Sequence, residues 1–306
     1  MDALLDRQLP TAWERFRSSP LLFLARLLYN PFVPRHQLVR DKVRVVCISD
    51  THNTHESQPP LPDGDILIHA GDLTVSGTRH ELDSVLSWLI SQPHPHKFFI
   101  AGNHDTCLAD PETQQYITLT YPGLTYLQEN SAQVTIYGRT FCIYGSPYIP
   151  KHGSWVFQYL RVHPPWYSAS DKPTSEYEST RIWSRIPALT DILITHTPPL
   201  AHLDLNQSGC YALLTALWRI RPRLHVFGHI HAARGTEFVR WDRAQNAYED
   251  VCAGRGGWIG LMKLAWWTVV AWVLRENRAE GTTMVNAAAV GGFRDDRRNG
   301  AIVVRL

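Results

Sequence analysis

Five short stretches of this chain set aspartate, histidine or asparagine beside small residues: Ser49-Asp50-Thr51-His52, Ala70-Gly71-Asp72, Ala101-Gly102-Asn103-His104-Asp105, Thr195-His196 and Gly228-His229-Ile230-His231. Imidazole nitrogens combined with carboxylate and amide oxygens suit borderline divalent cations such as manganese, iron or zinc better than calcium. A pair of four-coordinate ions offers about eight ligand positions, with one carboxylate shared between them. Asp50, His52, Asp72, Asn103, His196, His229 and His231 supply seven, and Asp72 counted twice makes eight. Asp-x-His and His-x-His put alternate side chains on one side of an extended or irregular backbone. No HExxH helix motif is present, which argues against a single-zinc protease. Any one of these stretches alone reads as a helix cap or a packed histidine. His94-Pro95-His96 copies the spacing but lies in a Pro-rich turn before an apolar run rather than after one, and is set aside.

Each of the five follows a short run of β-branched, aliphatic or aromatic residues. Val43–Ser49, Asp65–Ala70, Lys97–Ala101, Asp191–Thr195 and Arg223–Phe227 are predicted strands, five to seven residues long and bounded by turn formers. Helical patterns over Arg79–Ile90, Ser175–Ile186 and Gly209–Ile220 alternate with them, which predicts an α/β fold with helices covering sheets. A hairpin of Gln133–Tyr137 and Thr140–Tyr144 is expected to turn at Gly138-Arg139, and the last strands to be Thr283–Val290 and Ala301–Val304. Open α/β sheets place ligands beyond the ends of their strands. Five strand ends therefore aim the candidate ligands at one region.

Composition sets the limits. With 306 residues, 44% hydrophobic and 19% charged, the chain is globular in character, and its net charge of +2 lacks the clustered basic footprint that long nucleic acids require. Cys47, Cys107, Cys142, Cys210 and Cys252 are scattered without CxxC spacing, so they read as buried thiols in a reducing compartment rather than a disulfide framework or thiolate zinc site. The opening MDALLDRQL carries acids where a secretory signal needs bases, and a cytoplasmic location is expected. Residues 1–42 read as a basic, apolar lead-in helix. Residues 43–306 read as one domain with a Trp-rich helical insertion at about 241–280. Residues 19–33 and 257–274 are apolar enough to raise peripheral membrane contact. The second falls just short of the ~20 residues of a span, while its tryptophans suit a membrane interface.

The order Asp50-x-His52, Gly71-Asp72, Gly102-Asn103-His104-Asp105, a lone His196 and Gly228-His229-x-His231 resembles the calcineurin-like metallophosphoesterases. Ser49 to Asn53, Tyr144-Gly145-Ser146-Pro147-Tyr148, Gly153 to Tyr159 and Thr195-His196-Thr197-Pro198-Pro199 resemble the subfamily of metallophosphoesterase domain-containing proteins, with the Trp-rich insertion closer to a fungal branch. The resemblance covers about 43–240 and resumes near Val285-Asn286-Ala287. It implies a four-layer α/β/β/α fold, two mixed β-sheets packed as a sandwich flanked by helices. It also implies two divalent ions (Mn, Fe, Zn or Mg), the first held by Asp50, His52 and His231, the second by Asn103, His196 and His229, with Asp72 bridging. Asn53, Trp155 and Tyr159 would line the pocket.

Such a pair of ions, about 3.5–4 Å apart, clamps phosphoryl oxygens and lowers the pKa of a bridging water toward ~7 for attack on phosphorus. His104, one residue past Asn103, is expected to protonate the leaving alkoxide or to hold the phosphate, and Asp105 to orient and charge His104. The expected function is hydrolysis of small phosphodiesters or phosphomonoesters. The rivals are a protein serine/threonine phosphatase and a non-catalytic metal-binding scaffold that docks a membrane or partner.

Overall fold

The computed structural model describes residues 11–29, 43–162, 174–205, 208–273, 281–292 and 295–306. Two helices come first, α1 (Ala12–Ser18) and α2 (Pro20–Tyr29). The single lead-in helix expected over 1–42 is thus broken within its described part. Ser19 leaves helical geometry at φ −153°, and Pro20, which has no N–H to give, starts the next helix. Residues 1–10 and 30–42 of that expectation lie outside the described residues.

Next come β1 (Arg44–Ile48), β2 (Ile66–Ala70), α3 (Arg79–Ser91), β3 (His96–Ile100), α4 (Pro111–Thr120) and β4 (Thr125–Tyr126). The hairpin β5 (Asn130–Ile136) and β6 (Arg139–Ser146) follows, then the two-residue strands β7 (Ile149–Pro150) and β8 (Gln158–Tyr159), and α5 (Thr174–Ser184). The chain continues through β9 (Ile192–Thr195), α6 (Tyr211–Ile220), β10 (Leu224–Phe227), β11 (Gly235–Val239), α7 (Arg243–Cys252) and α8 (Gly257–Val273). It closes with β12 (Thr282–Asn286), β13 (Val290–Gly291), β14 (Arg297–Arg298) and β15 (Ile302–Arg305).

One sheet runs β15-β1-β2-β3-β4, parallel except for β15. The other runs β11-β12-β10-β9-β6-β5, parallel in its middle and antiparallel at both edges. Strand alternation explains how they stack. Val45 and Cys47 face inward with Ile66, Ile68 and Ile100, meeting Val134, Ile143, Ile192, Ile194 and Val226 of the second sheet. Val46, Ile48, Leu67 and Phe99 point the other way, onto Leu82, Val85, Leu86 and Ile117 of α3 and α4. Leu193, Phe227 and Met284 pack likewise against Ile182, Trp183, Leu213, Leu217 and Ile220 of α5 and α6. These contacts make the four-layer α/β/β/α sandwich.

Two expected boundaries move. The hairpin turns on Tyr137-Gly138, both left-handed at φ 50° and 76°, one residue earlier than expected. The strand expected to continue to Val290 stops at Asn286. There the chain leaves β10 for the other sheet, where Ala287 O accepts from Ser49 N–H and Ala289 N–H donates to Ser49 O.

A fifth layer consists of α2, α7 and α8, which share a core of Ala25, Tyr29, Ala247, Tyr248, Val251, Leu261 and Leu264. The rings of Tyr29 and Tyr248 stack at 4.4 Å. A buried polar cluster joins this layer to the loop after β9. His202 Nε2 lies 3.2 Å from Glu249 Oε1 of α7, and its Nδ1 lies 3.1 Å from Glu237 Oε1 of β11, an ion-pair contact short of hydrogen-bond geometry. Trp218 Nε1 donates to Glu249 Oε2 at 2.8 Å and Gln245 Nε2 to Glu249 Oε1 at 2.7 Å. Burial opposes charge on His202, but the two carboxylates overcome it and raise its pKa to about 10. Among the described residues no helix is long and apolar enough to cross a membrane, and the five cysteines form no disulfide, with Cys47, Cys210 and Cys252 buried.

Candidate metal centre

The turns that end the strands are conformationally special. Asp50, His52, Asp72 and His229 sit in the left-handed region at φ 53°, 41°, 52° and 67°. Non-glycine residues there cost about 1–3 kcal/mol each and persist where the surrounding fold over-determines them. The backbone also comes unusually close to the carboxylates. A Cβ on Gly102 would collide with the Asp72 carboxylate, and one on Gly228 with that of Asp50.

All seven candidate ligands lie together. Asp50, His52 and His231 offer ligand atoms within 4.8 Å of one another, and so do Asp72, His196 and His229. His231 Nε2 stands 3.3 Å from both Asp50 Oδ1 and His52 Nε2. His52 Nε2 is 3.7 Å from Asp72 Oδ2, which links the two groups. His196 Nε2 is 3.2 Å from Asp72 Oδ2 and 3.2 Å from Asn103 Oδ1.

Hydrogen bonds on the far side of the rings assign their tautomers. His196 Nδ1–H donates to Ala70 O at 2.9 Å, His52 Nδ1–H to Thr74 O at 3.2 Å, and His231 Nδ1–H to Asp295 Oδ1 at 2.9 Å. In the neutral rings each Nε2 is then a bare lone pair. Two bare nitrogens 3.3 Å apart, amid carboxylate and amide oxygens, repel unless a proton or a cation lies between them. The donor set therefore fits divalent ions.

Charge around the site follows from burial and pairing. Burial alone would raise Asp50, yet the His231 hydrogen bond and the imidazoles of His196 and His231 hold it at about 2. Asp72 is likewise kept well below the usual carboxylate range, against burial, by His196 and His52. Burial works against charge on His196 and His231, but Asp72 lifts the first to about 9 and Asp50 the second to about 9. Burial and the neighbouring His196 push His229 down to about 3. A metal entering this cage competes with those protons.

His104 lies at the edge of the group. Its Nδ1–H donates to Val75 O at 2.7 Å, and its ring meets His52 at 4.8 Å and Trp155 at 4.3 Å. It shares ligand distance with His52 and Asp72, so a third ligand triplet includes it. Asp105 does not orient His104, contrary to the expectation. Its buried carboxylate is taken by the N–H groups of Leu73, Thr74 and Gly102 at 3.2, 2.9 and 2.8 Å, and by Thr74 Oγ1 at 2.7 Å. Burial and the nearby Asp72 charge raise its pKa, and those hydrogen bonds oppose the rise. Asp105 is a strut between the loops that carry Asp72 and Asn103.

Tyr159 does not line the pocket either. It is buried, with its hydroxyl 2.8 Å from Cys210 Sγ while accepting from Trp183 Nε1 at 3.2 Å. Asn53 Nδ2 donates to Glu81 at the start of α3. Two neighbours escaped the sequence reading. His152 sets its ring 4.9 Å from His229. It follows β7 much as the other site histidines follow their strands, a signal too short to notice. Asp295 holds His231 from 64 residues away, where no local spacing could reveal it.

Comparison with known proteins agrees with this geometry. The whole chain is 44% identical over 321 residues to a protein of Emericella nidulans named probable rhamnogalacturonate lyase C, of which it spans only 29%. It is 37% identical over 219 residues to human metallophosphoesterase domain-containing protein 1, across 63% of this chain and 61% of that protein, and the mouse counterpart gives the same figures. The family model described as calcineurin-like phosphoesterase matches residues 43–233, the stretch holding every candidate ligand, and the chain belongs to that family.

Proposed function

We propose that this chain is a dinuclear metal-dependent phosphoesterase that hydrolyses phosphodiester or phosphomonoester bonds of small molecules. The observation that carries the reading is the convergence of imidazole Nε2 atoms on two buried carboxylates and an amide oxygen, 3.2 to 3.7 Å apart. Asp50, His52 and His231 would hold one ion, and Asn103, His196 and His229 the other, with Asp72 shared. Bound there, two divalent ions supply Lewis acidity to phosphoryl oxygens and lower the pKa of a water toward about 7.

The chain does the rest. Ala70 O and Thr74 O hold His196 and His52 with Nε2 facing inward. His104 keeps Nδ1–H on Val75 O, so in its doubly protonated form Nε2–H is the proton given to the leaving oxygen. Such a general acid contributes about 100- to 10,000-fold. Trp155, tilted 35° against His104 with ring centroids 4.3 Å apart, packs on one face of that ring and steadies its orientation. Residues 43–306 would act as one catalytic domain, with α7 and α8 inserted between β11 and β12.

The test is hydrolysis of p-nitrophenyl phosphate and of its bis ester by manganese-loaded protein, beside Asp72→Asn. The variant keeps the size of the side chain and removes the shared charge, so both activities should fall by at least ~100-fold. Equal rates for the two proteins would discard the reading.

A further inference from the structure

Helix α8 is apolar around its whole circumference, yet only half of it is covered. Leu261, Leu264, Thr268 and Ala271 form the buried side, against α2 and α7. The opposite stripe, Ile259, Met262, Trp266, Val269 and Val273, repeats at three- and four-residue spacing with each residue 54% to 64% exposed, and Trp258 extends it at the N-terminal end. A helix hydrophobic on all sides is ordinarily buried on all sides. Contiguous exposed apolar faces of this kind mark interaction surfaces.

Charge decides between occupants. Across α1, α2 and α8 the charged residues are Arg15, Arg17, Arg26 and Lys263 against Glu14 alone, and the Glu14 carboxylate is engaged by Thr11. Lys263 is exposed beside the stripe, and Trp13 of α1 is 68% exposed between apolar and basic neighbours. An isologous pairing of two copies would set this cationic assembly against itself. An anionic lipid surface attracts it, accepts the apolar stripe among its acyl chains and suits Trp and Lys at the headgroup level. The described part of α8 carries Lys263 among its apolar residues, an arrangement that suits a helix lying in the interface with its cation at the headgroup level.

We propose that the exposed stripe of α8, with α2 packed against that helix and the basic α1 packed in turn against α2, docks this protein flat onto membranes containing anionic lipid. The experiment is flotation of the full chain with vesicles of phosphatidylcholine, with and without phosphatidylserine, at low and high salt. Wild type should float with the anionic vesicles and lose much of that binding in salt. Trp266→Glu, at an exposed position, should keep its thermal melt and lose binding by tenfold or more. Lys263→Gln should bind anionic vesicles about fivefold more weakly and leave binding to neutral ones unchanged. Wild type that stays with the soluble fraction overturns the proposal, and so does Trp266→Glu that floats equally well. A stable dimer in light scattering, made monomeric by Trp266→Glu in a protein that ignores vesicles, also overturns it and assigns the stripe to self-association.

Discussion

Asp295→Ala gives the sharpest check on how the centre is organised. Three candidate ligands have their outer nitrogens held, His52 and His196 by neutral carbonyls and His231 by the Asp295 carboxylate at 2.9 Å. A carboxylate in that position fixes the ring and makes its inner nitrogen a better donor, and loss of such partners typically costs ~10–100-fold in metal affinity. The Asp295 side chain is 47% exposed, so water screens part of its charge. A charge pair about 4 Å apart is worth about 1 kcal/mol in water and about 4 kcal/mol at a protein surface. The lower end of that range applies here, which translates to about five- to tenfold weaker binding at the position held by His231. Asp295→Asn keeps an acceptor without the charge and should fall between wild type and Asp295→Ala. Manganese titration followed by electron paramagnetic resonance reads the affinity directly, without recourse to activity. Unchanged affinity in both variants would refute the reasoning that Asp295 supports His231 as a ligand.

Further outcomes follow from Asp105, His104 and His202. Asp105→Ala should destabilise the fold by at least ~3 kcal/mol in chemical denaturation, because it strands three buried N–H donors and the Thr74 hydroxyl, whereas His104→Gln should leave stability nearly unchanged and slow turnover. If Asp105→Ala melts like wild type, its assignment as a strut is wrong. His202→Ala should cost about 3–5 kcal/mol by leaving Glu237 and Glu249 without their buried cation. His202's pKa is raised in the folded state, so its stabilisation is complete below the unfolded value near ~6.5 and is lost as pH rises toward about 10. Denaturation midpoints between those limits should fall for wild type more steeply than for His202→Ala, and parallel slopes would contradict the assignment.

The sequence by itself determined the strand ends and what stands on them. A ligand placed one or two residues past a β-branched run is a local feature, and the left-handed turns at Asp50, His52, Asp72 and His229 belong to the same few residues. Period-two alternation in Val45 to Ile48 made both faces of a sheet apolar, which left a layered α/β arrangement as the way to cover them. Only the tertiary structure decided that Asp105, besides its neighbour Gly102, is held some thirty residues away by Leu73 and Thr74, and so turned an expected catalytic dyad into a strut. Distance in the chain hid Asp295 behind His231 for the same reason. Helix α8 carries apolar residues on every side, so no periodicity marked its inner face. Packing against α2 and α7 chose that face and left Ile259, Met262, Trp266, Val269 and Val273 uncovered. Short-range chemistry is written in neighbouring residues, whereas burial and long-range pairing exist only once distant segments share the same space.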